Sequence, residues 1–289
     1  MLLVLIVFVF NLVRNLSTEL PQQLGDEALF LLTAKFFPNS ETVHSIGYTP
    51  YPGIVFLKIA SVFANSEQYY QWMKTWNAAC FALAAAPAYL IARTLMPQSD
   101  ARIGAVIIGI TPPSIYGAYF TAEATYILAF WIFSAAAIGA LRTPHRHGLA
   151  ALTGATGAIA YLVKPHGVAL AIAYLVSAGL LVLLAQLRRK ADERPPSSRD
   201  ENQVREEWTP RALLINVTTF AFAAIAVLLV LGKALRGEWF AALDLGVYGN
   251  LTDGTAQRAE QNPGIAAVAF LVALHVAAVA AALAIPCAL

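Results

Sequence analysis

Apolar runs of about 20 residues, the length that crosses a hydrocarbon core, recur along this chain with short polar stretches between them. The pattern predicts a short first helix over Met1–Val13. Seven spans follow, at about Lys74–Met96, Ile103–Phe120, Ala124–Leu141, Gly148–Val163, Gly167–Leu187, Ala212–Gly232 and Gly264–Ile285. Two connections hold most of the polar material. Arg14–Met73 is long and mixed; Arg188–Arg211 is hydrophilic, with Pro195, Pro196, Ser197 and Ser198 marking a surface loop. Met1–Val13 has no basic residue ahead of it and no small-x-small pattern after it, so it reads as a membrane helix and not as a removed leader.

Tyr51–Asn65 is apolar but too short to span and contains Lys58, so charge has to decide its place. If it lies in the interface, Arg93 and Arg102, then Arg142 and Arg146, then the seven basic residues of Arg188–Arg211 all fall on one side. That is what the positive-inside rule requires; a spanning Tyr51–Asn65 would turn the most basic loop outward. The expected fold is therefore all-α, a polytopic transmembrane bundle of about eight helices forming one module over residues 1–289, with both termini cytoplasmic. Residues 14–73 form a first extracytoplasmic loop with interfacial helices, 188–211 a cytoplasmic loop and 233–263 a second extracytoplasmic loop.

Composition agrees. With 58% hydrophobic and 12% charged residues the chain lacks the polar surface of a soluble globule, and its mean hydropathy is +0.63. Cys80 and Cys287 lie in apolar stretches and read as core residues. No phosphate-binding Gly-x-x-x-x-Gly-Lys loop and no Gly-x-Gly-x-x-Gly turn occurs, which argues against an ATP-driven pump or a nucleotide-sugar domain. Nothing points to nucleic acid.

Four groups of residues can carry chemistry. Asp26 and Glu27 precede the apolar Ala28–Phe37; they are either helix caps or carboxylates at the membrane surface, partly desolvated and suited to general-base work. Tyr48-Thr49-Pro50-Tyr51-Pro52-Gly53 fixes a turn into a helix, its tyrosines suiting an interfacial belt. Glu123 opens a span, as cap or as functional group, just after Pro112 and Pro113, which should break the preceding helix. Lys164-Pro165-His166 sits between two apolar runs, on the side that otherwise avoids basic residues; its lysine either snorkels or binds phosphate. His44 can join a polar site with Asp26, and His275, alone on an apolar helix, receives no role. No His-x-x-x-His pair or acidic triplet indicates a metal, so no metal ligand is assigned, and a divalent-metal requirement stays open.

In their order along the chain these features resemble the membrane-embedded GT-C glycosyltransferases, especially the protein O-mannosyltransferase and aminoarabinose-transferase-like group. The resemblance rests on Gly25-Asp26-Glu27, Tyr48-Thr49-Pro50-Tyr51-Pro52, Thr121-Ala122-Glu123 and the Gly-rich Gly154–Val163 ending in Lys164-Pro165, and it covers about residues 1–190. It implies transfer of a sugar from a polyprenyl-phosphate donor, with inversion, to an acceptor glycan, lipid or protein at the extracytoplasmic face of a cell membrane. By the same resemblance Asp26 is the base, Glu27 supports it, Lys164 and His166 bind the donor phosphate, and His44, Tyr48, Tyr51 and Glu123 line the cavity. Tyr48 and Thr49 depart from the pattern, standing where some relatives have a basic residue. Two other classes remain: a carrier or flippase for a lipid-linked sugar or small solute, and a polytopic scaffold subunit.

Overall fold

The computed structural model describes residues 2–18, 25–37, 53–110, 117–164, 166–191, 209–237 and 239. Among them the chain forms nine α-helices and no strand: α1 Leu2–Ser17, α2 Gly25–Phe36, α3 Ile54–Ala64, α4 Tyr69–Ala92, α5 Gln98–Ile110, α6 Glu123–Arg142, α7 His147–Val163, α8 Gly167–Ala191 and α9 Pro210–Arg236. The expected last span, Gly264–Ile285, lies outside the described residues.

Four helices, α4, α6, α8 and α9, are long and apolar enough to cross a membrane, while α1, α3 and α7 are shorter apolar helices. At 11 residues, α3 reaches only about 16 Å at the usual helical rise, half a hydrocarbon core. It packs against α2, α4, α7 and α9. Its Lys58 is exposed while Phe56, Leu57 and Ala60 face inward.

Small residues let the central helices approach closely. A side chain at Gly154 of α7 would place its first carbon 2.1 Å from the Phe220 carbonyl of α9, the contact that small-residue helix faces permit. Around it Phe133, Ala137, Leu170, Ala173, Tyr174 and Phe220 form the largest buried cluster. Tyr174 stacks on Phe220 and donates a hydrogen bond to Asn216 Oδ1 at 2.6 Å. Asn216 Nδ2 in turn donates to the Pro144 carbonyl at 2.6 Å. Asn216, fully buried, thus ties α8, α9 and the α6–α7 turn together. Asn216→Leu is expected to cost about 2 kcal/mol by orphaning two buried groups, read as a lowered midpoint in detergent unfolding; an unchanged midpoint would dismiss the clasp.

The expected Ile103–Phe120 span is not one helix. α5 ends at Ile110, two residues before Pro112-Pro113, and residues 117–122 are not α-helical. Proline removes the amide that would continue the ladder and biases its predecessor out of the helical region. Asparagines from neighbouring helices take up carbonyls around this break. Asn11 of α1 donates to Gly109 at 2.8 Å, and Asn77 of α4 donates to Gly117 at 3.2 Å and Tyr119 at 2.8 Å. Backbone that leaves helical form in lipid must be satisfied in this way.

Candidate functional site

The non-helical stretch leads directly into the candidate site. α2 begins at Gly25, so Asp26 and Glu27 occupy its first turn, where carboxylates complement the exposed amides and the helix dipole. Glu27 is fully buried, and its Oε1 accepts the backbone N–H of Phe120 at 2.6 Å. A carboxyl oxygen accepting a main-chain amide satisfies two buried polar groups at once. The bond anchors the loop after the α5 break to α2, a structural duty that reading Glu27 as a cap of its own helix does not anticipate.

Three residues beyond Phe120, Glu123 opens α6. Its Oε1 lies 2.5 Å from Lys164 Nζ, each side chain about a quarter exposed, at 26% and 24%. Glu123 Oε2 is buried. The lysine reaches this position because α7 stops at Val163. Lys164, preceding Pro165, takes the extended angles φ −154 and ψ 134, as a residue before proline favours. The turn is tight: Gly167 N–H donates to Lys164 O at 2.9 Å. A first side-chain carbon at Gly167 would fall 2.3 Å from Tyr161 N. His166 is exposed, its ring edge-on to Tyr126 with centroids 6.5 Å apart.

One apolar cluster underlies these groups. Phe56, Ala122, Phe120 and Val163 are buried in it, with Tyr69, Tyr70 and Tyr126 packed alongside. Phe120 meets Phe56, Tyr69 and Tyr70 edge-on. Glu27, Glu123 and Lys164, from α2, α6 and α7, therefore stand around a shared aromatic floor at one end of the bundle. Of Asp26 only the backbone, in the first turn of α2, is described; His44, Tyr48 and Tyr51 lie outside the described residues.

Lys74 was not among the residues singled out from sequence. It is only 5% exposed; its Nζ donates to Thr18 O at 2.9 Å, while its own carbonyl accepts from Asn15 Nδ2 at 3.2 Å. The available signal was an ionisable residue beginning an apolar run, together with Asn11 and Asn15 four apart on one helix face. Among the described residues no three His, Cys, Asp or Glu side chains gather as a metal site. Cys80 is a buried free thiol.

No protein-family model, no curated protein and no solved structure matches this chain.

Proposed function

We propose that this chain is a multi-pass membrane glycosyltransferase that takes a sugar from a polyprenyl-phosphate donor at the extracytoplasmic face, related to the GT-C enzymes. The observation that carries the reading is the Glu123–Lys164 pair at 2.5 Å, at the start of a helix whose preceding loop is bonded through Phe120 to the buried Glu27, in a bundle rich in apolar helices. A lysine at the rim of a membrane bundle offers a compact positive charge to a lipid-borne phosphate, and its carboxylate partner keeps that charge compensated until the phosphate arrives.

In the proposed reaction Asp26 takes the proton of the acceptor hydroxyl. The acceptor oxygen bonds to the anomeric carbon from the face opposite the phosphate, the carbon–phosphate-oxygen bond breaks, and polyprenyl phosphate leaves with the electron pair, inverting the centre. Lys164 stabilises the charge that develops on the leaving phosphate, with His166 on the same turn. The donor's tail stays in lipid, so binding fixes the approach of its sugar. The proposed orientation takes the helix ends that carry Arg93, Arg102, Arg142 and Arg146, with the basic stretch Arg188–Arg211 that follows α8 in sequence, as the cytoplasmic side under the positive-inside rule.

The test is reconstitution with a radiolabelled polyprenyl-phosphate sugar and envelope acceptors. Label is expected to move to an acceptor, and Asp26→Asn to lower the rate about 100-fold, as loss of a general base does. Equal rates in the variant would remove the base assignment. Label crossing the bilayer without transfer would favour the carrier reading, to which the interrupted α5 is also suited.

A further inference from the structure

We propose a second lipid site at the opposite end of the bundle, a groove that takes one acyl chain of an anionic phospholipid and holds its phosphate on Arg102. α4 starts at Tyr69 beside Phe120 and runs away from the Glu27–Lys164 site to Ala92. At that far end a groove of about 530 Å³ opens between α1, α4 and α5, lined among others by Leu2, Val4 and Ile6, by Ala86 and Tyr89, and by Arg102. Around it the surface is hydrocarbon, with Leu2 72%, Leu90 60% and Ile103 60% exposed, a concentration of apolar side chains that belongs against lipid.

The groove's volume lies in the range of small-molecule sites and accommodates an extended acyl chain along it. Charge then selects the headgroup. Arg102 is exposed, and among the described residues no carboxylate pairs with it. Its stem can lie along the groove while the guanidinium reaches headgroup level, where a phosphodiester matches its paired N–H donors. Tyr89, apolar in body and polar at its tip, suits the same depth. Arg93, just past α4, adds positive potential at the same level. Basic pockets between membrane helices on the cytoplasmic side recognise anionic headgroups in this way. The choice of leaflet rests on the orientation proposed above; the preference for an anionic headgroup stands apart from the transferase reading.

The test is native mass spectrometry of the full chain in detergent with equal amounts of palmitoyl-oleoyl phosphatidylglycerol and phosphatidylcholine. Retained phosphatidylglycerol is expected to exceed phosphatidylcholine about fivefold, the scale of one arginine near a headgroup. Arg102→Gln should bring the ratio to about one. Arg146→Gln, an exposed arginine at the same end but outside the groove, should leave it near five, and Ala86→Trp should fill the groove and remove both lipids. Equal retention by the unaltered chain, an unchanged ratio in Arg102→Gln, an equal loss of preference in Arg146→Gln, displacement by millimolar inorganic phosphate, or a dimer dissolved by Ala86→Trp would each overturn the proposal.

Discussion

On the proposed transferase reading, Lys164→Gln is expected to reduce sugar transfer about 1000-fold, the upper range for removing a group that stabilises developing charge; on any reading it is expected to destabilise the bundle. The second effect comes from Glu123. Its Oε1 loses the 2.5 Å ammonium partner, and its Oε2 is buried. A carboxylate stranded in a partly buried site costs more than the pair contributed; about 2 kcal/mol is expected here, below the fully buried case because both side chains are a quarter exposed. Comparing Glu123→Gln, Lys164→Gln and the double variant separates the two duties. Stability should largely return in the double variant, since no unpaired charge remains, whereas transfer should not. If transfer returns along with stability, Lys164 serves only to neutralise Glu123 and the donor phosphate is bound elsewhere.

The second large effect is expected at Gly154. Even alanine there would set a carbon 2.1 Å from the Phe220 carbonyl, with the Phe220 carbonyl carbon 2.9 Å away. Both atoms are backbone, so no side chain can swing aside and α7 must part from α9. Gly154→Ala should cost about 3 kcal/mol, the high end for overpacking, and Gly154→Leu should prevent assembly. Gly148, at the start of the same helix, is the internal control: a carbon added there meets nothing within 4 Å, so Gly148→Ala should be near neutral. Equal unfolding midpoints for the two alanine variants would refute the close approach of α7 and α9.

How much of this could be read in advance depended on the range of the interaction responsible. Apolar runs located the cores of α4, α6, α7, α8 and α9, because burial in lipid is written locally. Their ends were less readable: α4 begins at Tyr69 and not at Lys74, since Tyr-Tyr-Gln-Trp-Met lowers hydropathy without opposing a helix. α5 stops at Ile110, where the two prolines outweigh the apolar residues beyond them. At the site, Glu123 and Lys164 were recognisable singly as charges at helix ends. Their pairing across 41 positions depends on which helices become neighbours, and no local pattern encodes that. The bond from Glu27 to Phe120, across 93 positions, was hidden for the same reason, as was the role of Asn11 and Asn77, whose partners exist only because α5 is interrupted.

The asparagines of α1 bear on the order in which the protein is made. With 16 residues, α1 spans only about 24 Å, and it carries Asn11 and Asn15 on the face that ends up buried. Alone in the bilayer Asn11 would keep only its bond to the Val7 carbonyl of its own helix, and both amides would lack their partners from other helices. Those partners, the carbonyls of Gly109 and Lys74, are synthesised well after it. α1 is thus expected to settle late, its packing completed by segments that emerge from the ribosome dozens of residues later, and truncation before Gly109 should leave it poorly packed.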